Sequence, residues 1–173
     1  PLMGEILSPD RLIERVRSLQ QQGKKVVFTN GCFDLLHVGH VRYLRAARGL
    51  GDCLVVALNS DASVRAIKGA ERPIIPHGER AELLAALSFV DYVTIFEEPD
   101  PSHLIALLQP NVLVKGGDWT PEQIVGREEV EARGGKVFTL PLVEGASSSS
   151  IIRTITERYG KPLRDSLPPQ KNS

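Results

Sequence analysis

Apolar residues Leu12, Ile13, Val16 and Leu19 recur at helical spacing behind Ser8-Pro9-Asp10, and Gly23 follows. A serine cap, proline at the first helical position and glycine at the stop predict a helix over 9–22. The period then changes. Residues 25–29 form a short apolar run, and 52–58 are nearly all apolar, as in a strand covered on both faces. Between them, 41–49 reads as a helix with Val41, Leu44 and Ala47 inward. The alternation continues with a helix at 78–88, a strand at 92–96, a helix at 101–108, a strand at 111–115, a helix within 122–133 and a strand at 136–140. A closing helix at 148–159 would turn Ile151, Ile152 and Ile155 inward. Strands and helices in regular alternation predict an α/β fold: a doubly wound, five-stranded parallel sheet of Rossmann-like type. One domain over 1–160, with its core at 25–159, is expected. The polar segment 161–173, with three prolines, is expected to be disordered. Ligands of such sheets sit beyond the C-terminal strand ends, so the informative segments follow Thr29, Leu58, Lys115 and Leu140.

Length and charge narrow the function classes. A chain of 173 residues suits one domain. Lys plus Arg and Asp plus Glu both number 21, which disfavours duplex nucleic acid as partner, because that needs a basic face. Cys32 and Cys53 make neither a disulfide framework nor a zinc cluster and read as buried free thiols. No apolar run reaches the length of a membrane span, and no secretory signal is present, so a cytoplasmic protein is expected.

The chemistry concentrates in four segments. After the first strand comes Thr29-Asn30-Gly31-Cys32-Phe33-Asp34-Leu35-Leu36-His37-Val38-Gly39-His40. Two histidines bracket a glycine where a helix begins, and free amides with the helix dipole favour an anion there. Gly31 and Gly39 let the backbone approach a phosphate, and the imidazoles can stabilise its transition-state charge. A plain pair of capping histidines is the alternative, and a metal site lacks a third ligand nearby. After the second strand come Asn59, Asp61, Lys68-Gly69 and Arg72-Pro73, then Arg80. Lys68 and Arg72 are cations suited to a polyphosphate, though alone they would be a solvated loop. After Val114 come Lys115-Gly116-Gly117-Asp118-Trp119, where Asp118 can bind a hydroxyl or an exocyclic amine or sit in a tight turn. Arg127 follows and reads more simply as a surface residue. Ser147, Ser148 and Ser149 open the last helix, where hydroxyls cap it and free amides can hold phosphate.

The first segment resembles the HxGH signature of the cytidylyltransferase-like nucleotidyltransferases in its longer form GxFDxxHxGH, through Gly31, Phe33, Asp34, His37, Gly39 and His40. The serine-rich turn is similar to the family's second signature. Within that family, Thr29-Asn30-Gly31, Asn59-Ser60-Asp61-Ala62-Ser63, Lys68-Gly69 with Arg72-Pro73, and Leu113 to Asp118 look like the heptose 1-phosphate adenylyltransferases. The resemblance spans roughly 25–159. It implies transfer of AMP from ATP, accompanied by Mg²⁺, to a sugar 1-phosphate for lipopolysaccharide core assembly. His37, His40 and Lys68 would be catalytic. Thr29, Asn30, Gly31, Cys32, Phe33, Gly39, Lys115, Gly116, Asp118, Ser147, Ser148 and Ser149 would hold the nucleotide. Asn59, Asp61, Arg72 and Arg80 would hold the acceptor, and the protein itself would hold no metal. The family domain is often fused behind a sugar kinase, and none precedes this segment, so a stand-alone form served by a separate heptose kinase is expected. A homo-oligomer is compatible with the sequence. Glycerol-phosphate cytidylyltransferases carry Arg-Thr-Glu-Gly-Ile-Ser where this chain has Leu142-Val143-Glu144-Gly145-Ala146-Ser147, and Gly-Asp-Asp where it has Gly116-Gly117-Asp118. Both departures disfavour CTP. A CTP-dependent enzyme acting on an alcohol phosphate and a non-catalytic nucleotide-binding module are the alternatives.

Overall fold

The structure, a computed structural model, describes residues 2–117 and 119–160. The expected disordered tail and the candidate Asp118 lie outside the described residues. The elements are β1 (Glu5–Ile6), α1 (Pro9–Gln21), β2 (Val26–Gly31), α2 (Val38–Arg48), β3 (Cys53–Asn59), α3 (Asp61–Lys68), α4 (His77–Ala85), β4 (Tyr92–Phe96), α5 (Ser102–Leu108), β5 (Val112–Gly116), α6 (Arg127–Ala132), β6 (Lys136–Leu140) and α7 (Ser148–Tyr159). A 3₁₀ turn, Pro121–Gln123, precedes α6.

All strand pairs are parallel, in the order β1-β4-β3-β2-β5-β6. The chain runs outward from β2 through β3 to β4, then returns to lay β5 on the other side of β2. Strand order therefore reverses between β2 and β5, where a doubly wound sheet opens a crevice at its C-terminal edge. Every residue of β3 is buried, because helices cover both faces of the sheet. One core joins Phe28, Val55, Ala57 and Leu113 to α1 and α5. The other joins Val27, Leu54, Val56 and Val114 to α2 and α4. Burying each such side chain contributes roughly 1.5–3 kcal/mol.

Three expectations need correction. The sheet has six strands, because Glu5 and Leu7 donate to Asp91 and Val93 carbonyls at 2.9 Å and add β1 at the edge. Two residues are too few to show a period. Residues 61–68, expected as loop, form α3, capped by the Ser60 hydroxyl on the Ser63 amide at 3.1 Å. α3 buries only Ser63 and Val64, which leaves almost no apolar stripe to detect. α7 is a helix as expected, but none of its residues is buried and Ile155 is 52% exposed. Among the described residues, no helix is long and apolar enough to cross a membrane.

Candidate active site

β2 delivers the motif to the crevice, and the backbone turns at Phe33, which takes a positive φ of 45°. α2 begins immediately after His37, whose Nδ1 accepts the Gly39 amide at 3.1 Å. That bond leaves the neutral imidazole its proton on Nε2, a donor for a ligand. His40 stacks on His37 with ring centroids 3.8 Å apart, and Phe33 meets His40 edge-on at 5.1 Å. Gly39 is required by this packing: a Cβ there would lie 2.9 Å from the His37 ring and 3.2 Å from Ala146 Cβ. Burial depresses the pKa of His37. Burial first, then the charges of His37 and Lys68, pushes His40 down to about 4. The pair is neutral at neutral pH, and His40 Nδ1 is buried with no hydrogen-bond partner among the described residues. Neutral rings can offer a ligand hydrogen bonds rather than a standing charge.

The histidines face a cleft of about 590 Å³. The motif loop supplies Asn30, Gly31, Cys32, Phe33 and Gly39 to its wall, and Asn59 and Lys68 come from the β3 side. Lys115 and Gly116 enter from β5, and Ser147, Ser148 and Ser149 from the start of α7. Ser148 Oγ donates to the Leu35 carbonyl at 3.1 Å, which ties α7 to the motif loop. Ser147 and Ser150 form a reciprocal capping box. Burial lowers the Lys115 pKa. Burial also raises the Cys32 thiol above its ordinary range, more than nearby Lys68 lowers it, so this thiol is a poor nucleophile.

Four sequence candidates stand elsewhere. Thr29 is fully buried and its hydroxyl lies 2.6 Å from that of Tyr43, which donates in turn to the Val114 carbonyl at 3.1 Å. Thr29 therefore supports the floor of the cleft and does not line it. Arg72, Asp61 and Arg80, expected at the acceptor, do not line the cleft and enter two clamps beside it, Arg72 Nη2 staying buried without a partner among the described residues. Asp34, 2% exposed, accepts from Arg72 Nε at 2.7 Å and from the Ile74 and Ile75 amides at 2.9 Å. Burial alone would raise its pKa, but those two amides and the guanidinium hold it below the usual range. Arg80, its side chain 0% exposed, donates to Asp61 Oδ1 at 2.8 Å, to the Ile75 carbonyl at 2.8 Å and to the Cys32 carbonyl. Asp61 is likewise held low, against burial, by the Arg80 bond and then by His77. Both clamps end on Cys32–Asp34 and fix the segment after Lys68 against the motif loop. Arg127 pairs with Glu131 at 3.0 Å on α6.

Sequence reasoning passed over several lining residues. Tyr43 reads as an ordinary apolar helix position, and Trp119 as a turn residue. Pro99, Asp100 and Pro101 follow the C-terminal end of β4, where position alone was the available signal.

The profile of the cytidylyltransferase-like family matches residues 28–155, the stretch from β2 into α7. This chain belongs to the cytidylyltransferase-like family. The match places the histidine pair and the serine-rich turn inside the family's domain. Relatives include the "Bifunctional protein HldE" of Geotalea uraniireducens, 58% identical over 152 residues, covering 88% of this chain and 31% of that protein. The protein of the same name from Pelobacter propionicus is 56% identical over 156 residues, covering 90% and 32%. The chain thus spans about a third of the length of the curated relatives it matches. Among solved structures, the lipopolysaccharide core biosynthesis protein from Thermoplasma volcanium GSS1 matches with a TM-score of 0.58 and 27% identity, covering 70% of this chain and 98% of that one.

Proposed function

We propose that this domain transfers AMP from ATP to D-glycero-β-D-manno-heptose 1-phosphate, giving ADP-heptose and pyrophosphate for lipopolysaccharide core assembly. The observation that carries the reading is the stacked, neutral histidine pair at the start of α2, with Lys68 facing it across one cleft. An acceptor phosphate oxygen attacks the α-phosphorus. The bond from that phosphorus to the bridging oxygen breaks, and pyrophosphate leaves with the electron pair. The attacking oxygen is already ionised at neutral pH, so no general base is needed. The site's contribution is positioning and charge stabilisation. His37 and His40 donate to the oxygens around the breaking bond, and Lys68 neutralises the triphosphate from the other side. Among the described residues no group of three or more His, Cys, Asp or Glu side chains can hold a metal ion. In this scheme Mg²⁺ accompanies the nucleotide substrate and lowers the charge of the triphosphate.

Leu142 supports ATP over CTP. Its side chain, 65% exposed, packs at Gly116, where a Cβ would come within 3.1 Å of Leu142 Cδ2. The cleft wall there is apolar and lacks the guanidinium that the cytidylyltransferase stretch carries. The HldE relatives and the structural neighbour, a lipopolysaccharide core biosynthesis protein, support the choice of acceptor. A sugar 1-phosphate acceptor also implies a sugar kinase acting upstream. The test is alanine replacement of His37, His40 and Lys68. Each donor stabilises the transition state by about 2.7–4 kcal/mol, so turnover falls roughly 100-fold or more with the fold intact, His37→Ala also losing the cap on the Gly39 amide. Near-normal turnover in both histidine variants, with a small loss of stability, would mean that the rings only cap a helix.

A further inference from the structure

The three central strands end in a second polar row that the histidine chemistry leaves unused. Side chains alternate between the faces of a strand. Phe28, Ala57 and Leu113 belong to the core under α1 and α5, so Asn30, Asn59 and Lys115, each two residues further on, stand on that same face. The histidine pair, Tyr43 and the start of α2 belong to the opposite face. All three polar residues nevertheless line the one cleft. Lys115 Nζ lies 3.4 Å from Asn30 Oδ1 and 5.6 Å from the centre of the Trp119 ring. Trp119 is 43% exposed and is fixed by its indole N–H on the Gly116 carbonyl at 2.8 Å. Asn59 Nδ2 is committed to Ser63 Oγ at 3.0 Å, which orients its Oδ1 as the remaining acceptor.

β3, which leads to Lys68, and β5, which carries Lys115, are the two neighbours of β2. The two lysines that line the cleft therefore stand one on each side of the motif loop. The reaction proposed above brings two anions together: a phosphate oxygen must approach an α-phosphoryl group that is itself charged. That approach is opposed by repulsion, which a cation serving each anion relieves. The histidines and the α7 start occupy the face suited to the nucleotide, and Lys115 is left for the other anion.

We propose, resting on that reading, that Lys115 holds the phosphate of the acceptor, with Asn59 Oδ1 accepting a sugar hydroxyl and Trp119 closing the sugar's outer face. Asp61, Arg72 and Arg80 serve the clamps and do not line the cleft. Trp119 is the chain's single tryptophan, so its fluorescence reports on this wall alone. The experiment titrates wild type, Lys115→Met and Lys115→Arg with heptose 1-phosphate, with glycerol 3-phosphate and with ATP, following tryptophan emission and heat of binding. Lys115→Met is expected to weaken acceptor binding about tenfold or more, as loss of a charge-assisted hydrogen bond does. ATP binding should stay within about twofold, and Lys115→Arg should recover most of the acceptor affinity. Weakened ATP binding with unchanged acceptor binding would overturn the assignment, placing Lys115 at the nucleotide. So would unchanged binding of all three ligands, or absence of acceptor binding to wild type. Preference of wild type for glycerol 3-phosphate would defeat the heptose reading separately. The Lys115→Met comparison on that ligand would still decide the role of the lysine.

Discussion

Arg80→Met separates a buried clamp from a substrate contact. The native guanidinium bonds to Asp61, Ile75 and Cys32, so its loss leaves two carbonyls without this donor and Asp61 with only the His77 amide. Breaking a buried ion pair by removing one partner costs about 3–5 kcal/mol. The Asp61 side chain is 25% exposed and water recovers part of that, so the low end, about 3 kcal/mol, applies. In a domain of this size each kcal/mol lowers the thermal midpoint by roughly 2–4 °C, which gives a fall of roughly 6–12 °C. Arg80→Lys keeps the charge but loses the planar fork, and should fall between the two. The assay is thermal unfolding by circular dichroism beside steady-state kinetics in both substrates. The clamp predicts a large fall in midpoint and a drop in turnover through the displaced motif loop, with no selective rise in the acceptor KM. A midpoint within about 2 °C of wild type together with a strongly raised acceptor KM would refute it and restore Arg80 as a substrate ligand.

The remaining predictions concern the motif and its floor. Tyr43→Phe removes the hydroxyl between Thr29 and Val114 and should cost about 1–3 kcal/mol in denaturant unfolding; an unchanged midpoint would show that water replaces it. Gly39→Ala forces a methyl against the His37 ring and should cut turnover roughly tenfold or more in a folded protein, whereas full activity would mean that the ring's position is not critical. His40 has a folded pKa of about 4 against an ordinary 6.5, so its contribution to stability is complete above pH 6.5 and is lost as pH falls towards 4, while the unfolded chain alone takes the proton. Stability should therefore fall less across that window in His40→Asn than in wild type, and an NMR titration of His40 near 6.5 would contradict the assignment.

The parallel sheet was legible because strands buried on both faces are continuous apolar runs, as in 52–58, and each is followed by a helical period. β1 was not legible, since Glu5–Ile6 is recruited to the edge by backbone bonds to Asp91 and Val93 that no local pattern records. The motif's arrangement was legible at His37, Gly39 and His40 because that spacing at a helix start brings the two rings together. The partners of the arginines were not legible, for a physical reason. A cation behind a strand end looks the same in sequence whether it meets a phosphate or a carboxylate, and the partners Asp34 and Asp61 lie 38 and 19 residues away from Arg72 and Arg80. Only the fold shows that each arginine meets a carboxylate. Lys115 was legible as a cation near the cleft, but the face of β5 it occupies follows only from the register of β2 and β5.

The measurement that bears most directly on the central claim is pyrophosphate release by wild-type protein. ATP or CTP would be paired with D-glycero-β-D-manno-heptose 1-phosphate or glycerol 3-phosphate, and the nucleotide product identified by mass. The account predicts release with ATP and heptose 1-phosphate, ADP-heptose as the product, and much weaker turnover with CTP. Preference for CTP and glycerol 3-phosphate, or binding of nucleotide with no pyrophosphate from any pair, would contradict it.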